Sequence, residues 1–268
     1  MNNKLIAASI QIESIPMDID KNLEKAVSLI NKIPRDIDLV VLPELFNTGY
    51  EIDSIKETSL DKLIEYYDKT TEFISTQSKK NNLYIAAGIF EIYDEQLYNS
   101  LIVFNNNGKI ICSYKKISLF DPAGENAVFK QGNKLKTFSL NGFTIGLMIC
   151  YDLRFPEISR AYIDLDADVL LISAAFPYAR IDHWQALLKA RAVENQSYII
   201  ASNSTGKNDK YCFGGSSCII DPAGIICKSL NEKEESVILH ELNLDFIHET
   251  RKNLPCLADR KKIKGIII

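Results

Sequence analysis

The sequence is poor in histidine and has no cysteine pair with metal-site spacing. It contains three histidines and six cysteines in 268 residues, and no two cysteines are separated by only two residues. Structural and catalytic zinc sites need clustered Cys and His ligands, which are absent here. A chain of this length also folds without disulfides. The sequence therefore argues against a metal-dependent enzyme and predicts six reduced thiols.

Long apolar runs and blocks of like charge are also missing. No stretch reaches the roughly 18 apolar residues of a membrane span, and the short apolar run near the N-terminus is soon followed by an acid, unlike a signal peptide. The 31 basic and 35 acidic residues are scattered, which argues against a nucleic-acid groove or a polybasic membrane patch. We therefore expect a cytoplasmic protein whose partners are small molecules or a second copy of itself.

Strand-like and helix-like segments alternate along the chain. LIAASIQI, then NLEKAVSLINKI with Asp20 as its N-cap, then DLVVLPEL predict a strand, a helix and a strand. The second half repeats this rhythm with FTIGLMIC, a helix from Pro156, ADVLLISAAF, a helix from Asp182 to Asn195, and QSYIIASNS. No Gly/Ser/Pro linker separates the halves, so we predict one α/β domain over residues 1–268, with mixed sheets covered by helices.

Turn sequences predict antiparallel strands as well. Asn-Asn-Asn-Gly-Lys separates YNSLIVF from IICSYKKI, and Asp221-Pro222-Ala223-Gly224 separates SSCIID from IICKSL. The pair Asn141-Gly142 separates LKTFSL from FTIGLMIC. A last strand, ESVILHELNL, precedes a charged tail from about residue 250, which we expect to pack on a partner subunit.

Cys150 ends an apolar strand and is followed at once by YDLRFPE and a predicted helix. A sharp strand-to-helix turn can lift a side chain out of a sheet, and nearby backbone N–H groups then favour a thiolate and an oxyanion. Cysteine is often buried, so the alternative is an ordinary core thiol. The polar sequence that follows favours a nucleophile.

A thiol nucleophile needs a proton acceptor. Histidine is the usual one, but His240 lies in a strand-like run and His248 in a charged helix-like stretch, so only His183 is plausible. Glu44, at the end of the apolar strand in VVLPELFNTGY, is the carboxylate alternative, because desolvation would raise its pKa and a nearby lysine would lower it again. Its other interpretation is a cap of the following segment.

Lys115 and Lys116 end the apolar strand IICSYKK. Neighbouring side chains of a strand point to opposite faces, so only one of the two can reach a site at the strand ends and the other should be solvated. A charged strand end without function is the alternative for either residue.

Taken together, these segments resemble the nitrilase-like carbon–nitrogen hydrolase family. VVLPELFNTGY is similar to its first signature, which implies that Glu44 is the general base. YKKISLF matches Tyr-x-Lys-x-x-Leu-Phe and selects Lys116 as the lysine that stabilises the oxyanion, together with the backbone N–H of Tyr151. CYDLRFPE implies that Cys150 is the acyl-forming nucleophile, and Glu125 in ENAVFKQG matches a second active-site glutamate.

The resemblance also carries expectations about architecture. It implies a four-layer αββα sandwich whose subunits pair through helices, and the helices after Cys150 and from Asp182 are the candidates for that face. His183, Arg191 and Glu194 are then expected to be structural. No metal or organic cofactor is implied.

The segment CYDLRFPE resembles the branch of ω-amidases and deaminated-glutathione amidases. That branch implies a small carboxylate-bearing amide such as α-ketoglutaramate or α-ketosuccinamate, whose carboxylate suits a bidentate arginine. Arg154 and Arg180 are candidates, although Arg180 is equally well interpreted as a solvated loop residue. Tyr50 and Phe176 are expected either to line the acyl pocket or to belong to the core.

One position departs from the family pattern. Many amidases of this branch have His two residues after the catalytic lysine, where this chain has Ser118. The substrate therefore stays open, with N-carbamoyl amines and deaminated glutathione as alternatives. A non-catalytic binding subunit is a different alternative, which the presence of Glu44, Lys116 and Cys150 together opposes.

Overall fold

The fold, described for residues 3–263 in a computed structural model, contains two six-stranded sheets and seven α-helices within that range. The strands are β1 Lys4–Gln11, β2 Leu39–Leu42, β3 Tyr84–Tyr93, β4 Gln96–Phe104, β5 Ile110–Lys115, β6 Thr137–Leu140, β7 Phe143–Ile149, β8 Val169–Ala174, β9 Tyr198–Asn203, β10 Cys218–Ile220, β11 Ile226–Ser229 and β12 Ser236–Asn243. The helices are α1 Ile19–Ile30, α2 Ile52–Glu57, α3 Leu60–Asn81, α4 Pro156–Ile163, α5 Ile181–Asn195, α6 Leu244–Asn253 and α7 Cys256–Ile263.

The two sheets share one plan. The first has the order β12-β1-β2-β3-β4-β5 and the second the order β11-β10-β9-β8-β7-β6. In each, three parallel strands form the centre, β1-β2-β3 in one and β7-β8-β9 in the other, and antiparallel strands complete both edges. This agrees with the repeated rhythm of the sequence.

The sheets face each other, and helices cover their outer sides. Apolar residues of α1 and α3 pack on the first sheet, and α4 and α5 contribute residues such as Tyr162, Trp184 and Leu188 to the core of the second. The central strands are almost continuously buried because both of their faces are covered. The predicted α/β sandwich of two mixed sheets is therefore confirmed.

Small residues bring the two sheets close together near one end. The Ser173 hydroxyl, on β8, donates to the Leu42 carbonyl of β2 at 2.9 Å. A Cβ atom added to Gly88 on β3 would lie 2.3 Å from Ser173 Oγ and 2.6 Å from Cα of Glu44. Only glycine fits at position 88, so the ends of strands from both sheets can meet there.

The predicted turns and most predicted elements are confirmed, and one helix cap is corrected. Helix α1 begins two residues earlier than Asp20 would require, because Asp18 is the N-cap and its Oδ1 accepts the N–H of Lys21 at 3.2 Å. Asp20 lies in the first turn instead. The short helices α2 and α7 have no counterpart among the predicted elements.

The segment after residue 250 contacts its own chain. Arg251 donates to Asp168 at 3.0 Å and to the Ala167 carbonyl at 2.9 Å, and Arg260 pairs with Asp164 at 2.8 Å. Packing of this segment on a partner subunit stays a prediction. Between residues 3 and 263, no helix is both long and apolar enough to cross a bilayer.

Candidate active site

The predicted site residues lie where strands of the two sheets end. Glu44 follows β2 by two residues, Lys116 comes directly after β5, and Cys150 comes directly after β7. Side chains at the carboxyl ends of neighbouring parallel strands are brought to one edge of a sheet, where ligands commonly bind. The face-to-face packing of the sheets adds a second set of strand ends to that edge.

Lys116 lies between two carboxylates. Its Nζ donates to Oε1 of Glu44 and to Oε1 of Glu125, each at 2.7 Å, and all three side chains are fully buried. Burial opposes the charge on Lys116, but Glu125 and Glu44 outweigh it and raise the pKa. The ammonium is therefore charged, and it compensates two carboxylates that have no access to water.

Glu44 is held at both carboxylate oxygens. Its Oε1 also accepts the side-chain amide of Asn99 at 2.7 Å, and its Oε2 accepts the backbone N–H of Ala175 at 2.9 Å. These donors come from both sheets and fix the carboxylate in one orientation. The alternative interpretation of Glu44 as a helix cap is therefore wrong, because its oxygens contact Lys116, Asn99 and Ala175 instead.

Glu125 faces the same cluster from a 3-10 turn at 125–127. Its Oε1 accepts the Tyr50 hydroxyl at 2.5 Å and its Oε2 accepts the N–H of Phe120 at 2.9 Å. Burial raises the pKa of Glu125, and the Lys116 charge opposes that shift. Burial, followed by the charge of Glu125, raises the pKa of Tyr50 well above its usual range. The phenol therefore stays protonated and donates a hydrogen bond to Glu125.

Cys150 occupies a strained turn. Its φ of +43° lies in the left-handed region that non-glycine residues rarely adopt, and it joins β7 to the 3-10 turn Cys150–Arg154. Burial, and next the Glu44 charge, raise the pKa of the thiol, while Lys116 and the Ala175 N–H oppose them. The resting thiol is therefore protonated, and the charge of Glu44 acts on it. Strain of this kind is concentrated at functional sites.

Asp152 supports this turn, and the sequence analysis did not single it out. It is fully buried and accepts hydrogen bonds from the N–H of Ile149 at 3.0 Å, the N–H of Ser118 at 2.8 Å and the Tyr114 hydroxyl at 2.7 Å. Burial raises the pKa of Asp152 to about 6. The carboxylate thus ties the Cys150 turn to the segment that follows Lys116. An acid within CYDLRFPE was the available signal.

A narrow cleft opens at Cys150. It is lined by Tyr50, Phe120, Cys150, Tyr151, Arg154, Ala175, Phe176, Pro177, Arg180 and Tyr211. All five residues proposed from the sequence for the pocket or for its oxyanion-binding N–H are in this set, whereas Phe120 and Tyr211 were missed. Glu44, Lys116 and Glu125 are fully buried and are not among the lining residues, but their charges act on the Cys150 thiol.

Two arginines line the cleft without an acidic partner. The guanidinium of Arg154 lies 5.2 Å from the centre of the Phe176 ring and 3.3 Å from Nδ1 of His183, and that of Arg180 lies 5.7 Å from the centre of the Phe120 ring. Neither forms an ion pair with any described residue of the chain. An anionic group entering the cleft would meet both.

The other residues considered from the sequence lie outside the cleft. Lys115 points away from Lys116, as alternation predicted, and is half-buried with its Nζ 3.9 Å from the Tyr93 ring centre and 3.7 Å from that of Tyr98. It is therefore less solvated than expected. His240 on β12 and His248 on α6 are not among the lining residues.

Arg191 has a structural position on α5. Its guanidinium donates to the Leu153 carbonyl at 3.2 and 2.8 Å and to Glu194 at 2.9 Å. These contacts hold the helix against the turn that follows Cys150. Among residues 3–263, no three His, Cys, Asp or Glu side chains gather into a metal-binding group.

The chain is similar in sequence to known enzymes. The sequence profile of the carbon-nitrogen hydrolase family matches residues 6–252. The chain is 35% identical over 244 residues to a 2-oxoglutaramate amidase of Bacillus subtilis, covering 90% of this chain and 92% of that protein. It is 33% identical over 261 residues to a deaminated glutathione amidase of Dictyostelium discoideum, covering 90% and 89%.

A solved structure shares the fold. Saccharomyces cerevisiae Nit3, a member of branch 10 of the nitrilase superfamily, superposes with a TM-score of 0.84 at 29% identity, over 94% of this chain and 95% of that one.

Proposed function

The chain belongs to the carbon-nitrogen hydrolase family and acts on carbon–nitrogen bonds other than peptide bonds, and we propose that it hydrolyses a small carboxylate-bearing amide through a thioester on Cys150. The observation that carries this proposal is the buried group of Glu44, Lys116 and Glu125, whose charges act on a strained cysteine that lines a cleft. A binding role alone gives no reason for such a costly arrangement of buried charges.

In the first half of the reaction, Glu44 takes the thiol proton as the sulfur of Cys150 attacks the amide carbonyl. The high pKa of the buried thiol means that proton transfer and attack have to be coupled, because little thiolate exists at rest. Lys116 and the backbone N–H of Tyr151 stabilise the tetrahedral oxyanion. The C–N bond then breaks, the amine takes the proton from Glu44, and ammonia leaves a thioester.

In the second half, Glu44 removes a proton from water, which attacks the thioester carbonyl. The C–S bond breaks, the sulfur regains a proton, and the carboxylic acid product leaves. Glu125 holds Lys116 in place through both halves of the reaction and accepts a hydrogen bond from the Tyr50 hydroxyl. The donors Asn99 and Ala175 keep Glu44 aimed while its protonation state changes.

The substrate class follows from the two unpaired arginines. A carboxylate is the natural partner for a guanidinium group that lacks one, since paired hydrogen bonds to charged groups are strong and directional. We propose that Arg154 and Arg180 bind the substrate carboxylate while Phe176 and Tyr50 line its acyl chain. The 2-oxoglutaramate amidase relative favours an α-keto acid amide as that substrate.

Deaminated glutathione is the second candidate substrate. A relative with that activity in its name is nearly as similar to this chain as the 2-oxoglutaramate amidase is. It too carries carboxylates, but it is longer, so the two candidates differ in the length of the acyl part rather than in the chemistry at Cys150.

The test is ammonia release from α-ketoglutaramate, α-ketosuccinamate, deaminated glutathione, an N-carbamoyl amine and a neutral aliphatic amide, with Cys150→Ala beside the native protein. Release from a keto-acid amide that falls by at least roughly 10⁴-fold in Cys150→Ala is expected. Mass spectrometry of an acid-quenched reaction should then detect the acyl group on Cys150.

Other outcomes would redirect the proposal. Carbon dioxide beside ammonia would favour the N-carbamoyl substrate. No turnover of any amide, together with a thiol that does not react with iodoacetamide, would favour a binding subunit.

We also propose a homodimer that uses α5, one of the two predicted helices. Val193 at the end of α5, Ile225 and Leu254 are 51%, 62% and 60% exposed. They are neighbours, because Gly224 contacts Val193 and Gln196 donates to the Leu254 carbonyl at 2.7 Å. Exposed apolar patches commonly mark interaction surfaces.

Light scattering after size-exclusion chromatography tests the dimer. Val193→Glu should halve the measured mass, whereas Lys80→Glu on α3 should leave it unchanged; a native monomer would contradict the proposal. The single-domain organisation of residues 1–268, the cytoplasmic location and the absence of nucleic-acid and membrane partners stay predictions.

A further inference from the structure

The loop between β9 and β10 reaches the cleft. Residues 204–217 contribute Tyr211 to the cleft lining and Phe213 to the apolar cluster behind Tyr50. The ring centres of Tyr50 and Tyr211 are 6.1 Å apart in an edge-to-face arrangement, and Tyr50 lies 6.4 Å from Phe213 in the same way. One wall of the cleft is therefore an aromatic group drawn from two distant parts of the chain.

Asn208 joins those two parts. Its Oδ1 accepts the N–H of Lys210 at 3.0 Å and that of Tyr211 at 2.7 Å, which closes the turn that carries Tyr211. Its Nδ2 donates to the backbone carbonyl of Tyr50 at 3.0 Å. The side chain is half-buried although Lys207, Asp209 and Lys210 around it are exposed. One amide thus holds the backbone on both sides of the gap between the two tyrosine rings.

Tyr50 transmits this constraint inward. Its backbone is held by Asn208, and its hydroxyl donates to Glu125, which in turn accepts Lys116. The ring of Tyr50 is therefore held in place. Tyr211 is the part of the aromatic wall whose position can still vary. The Tyr211 hydroxyl has no hydrogen-bond partner among the residues that the structure describes, so it is available to a ligand in the cleft.

From these contacts we propose that Tyr211 determines the acyl group that the cleft accepts and that Asn208 is the positioning residue that holds it against Tyr50. The inference rests on the proposed function, since it takes the cleft above Cys150 as the acyl pocket. It adds the wall that selects acyl length to the arginines that bind the carboxylate.

A second link between the same segments supplies a control. Lys210 pairs with Asp53, and both side chains are more than half exposed. Exposed ion pairs contribute little to stability, so Asp53→Ala should change catalysis by less than about threefold. The pair lies beside Asn208 in the loop, and neither of its residues lines the cleft.

The experiment compares kcat/KM for the monoamides of four-, five- and six-carbon dicarboxylic acids. Native protein should prefer one length over its neighbour by about tenfold or more, the scale of one methylene in a fitted pocket. Asn208→Ala and Tyr211→Ala should each remove most of that preference, chiefly through KM. Tyr211→Phe should keep the length preference, because the ring remains, and lower kcat/KM only for acyl chains that reach its hydroxyl.

Two readouts separate positioning from general damage. The rate at which iodoacetamide alkylates Cys150 should be unchanged in Asn208→Ala within about threefold, because the charges behind the thiol are untouched. Asn208→Asp keeps both acceptor bonds of the turn but removes the donor to Tyr50, so it should lose selectivity like Asn208→Ala.

Each outcome bears on the inference. A length preference that survives in Asn208→Ala and Tyr211→Ala, with native turnover intact, would overturn the inference and leave the proposed function standing. An equal loss of preference in Asp53→Ala would overturn the role of Asn208. If the native protein hydrolyses deaminated glutathione but none of these monoamides, the inference is overturned and the proposed function stands. If it releases ammonia from none of the amides named here or in the substrate test above, the proposed function fails and this inference falls with it.

Discussion

The centre of the site and the rim of its cleft are built differently. At the centre, Glu44, Lys116 and Glu125 are fully buried, and each is held by at least two hydrogen bonds. At the rim, Arg154 and Arg180 lie over aromatic rings and have no acidic partner between residues 3 and 263. The charged groups of the centre are paired with one another, whereas the two guanidinium groups at the rim can pair with a ligand.

This difference assigns the reaction steps to the buried centre and the choice of substrate to the rim. Proton transfer and oxyanion stabilisation depend on groups that do not reorient during the reaction, and burial between two sheets provides that rigidity. Substrate choice depends on groups at the surface, where a loop or a side chain can change without disturbing the buried charges. The substrate can therefore change at the rim while the buried centre stays the same.

The largest effect that separates centre from rim is expected at Lys116. Lys116→Met leaves two buried carboxylates without their cation, and loss of one partner from a buried ion group costs about 3–5 kcal/mol. Urea unfolding measures that cost, and ammonia release should be abolished. Lys115→Met is the matched control, because its half-exposed ammonium on two tyrosine rings contributes only about 0.5–1 kcal/mol. Equal losses in the two variants would refute the account of the centre.

A pH-dependent effect of nearly the same size is expected at Asp152. Its folded pKa is about 6 against an ordinary value of 3.8, so its contribution to stability is complete below pH 3.8 and is lost as the pH rises through 6. Asp152→Asn does not titrate there. The unfolding free energy of the native protein minus that of Asp152→Asn should fall by about 3 kcal/mol between acidic and neutral pH. A difference that stays constant with pH would contradict the burial of an ionisable group at this turn.

The rim is expected to respond in binding rather than in stability. Arg180→Ala removes charge-assisted hydrogen bonds worth about 1.5–3 kcal/mol, so the KM for a carboxylate-bearing amide should rise by about 10–100-fold. A neutral aliphatic amide measured with the same variant is the control and should show little change. Arg180→Lys keeps the charge but loses the planar fork, and it should fall between the two. Equal losses for charged and neutral amides would remove Arg180 from carboxylate binding.

The smallest effect is expected where the two sheets approach each other at Gly88 and Ser173. Gly88→Ala adds a Cβ at 2.3 Å from Ser173 Oγ and 2.5 Å from the Pro43 carbonyl, and such overpacking costs about 1–3 kcal/mol. Because the displaced backbone carries Glu44, kcat should fall as well. Ser173→Ala removes one hydroxyl without adding volume and should leave kcat closer to native. Unchanged kcat in Gly88→Ala would mean that the close approach of the sheets at Gly88 does not position Glu44.

Local patterns predicted the elements and the chain positions of the reacting groups. Strand alternation, together with the family signature, selected Lys116 over Lys115, and the structure places only Lys116 in the buried cluster. Alternation failed to say that Lys115 lies on Tyr93 and Tyr98, because those rings come from other strands. The prediction of Asp20 as the helix cap was wrong, because Asp18 precedes the same apolar pattern and only backbone geometry distinguishes the two acids.

Several supporting residues had no local signal at all. Asn99 is an ordinary residue in a strand, and it matters because the register of β4 places it against Glu44. Tyr211 lies in a polar loop, and only the Asn208 contact with Tyr50 brings it to the cleft. Contacts of this kind join residues more than 50 positions apart, so periodicity within a short window cannot reveal them.

The sequence by itself determined the alternating elements, the turns and the order of Glu44, Lys116 and Cys150, because these depend on local propensity and on short motifs. Tertiary structure alone decided that one ammonium pairs with two carboxylates and that Asp152 supports the cysteine turn. It also decided that Arg154 and Arg180 lie over aromatic rings at the cleft, without an acidic partner in the described part of the chain. The physical reason is that hydrogen bonds and ion pairs act over a few ångströms. Which groups come that close is set by the packing of two sheets, not by neighbourhood along the chain.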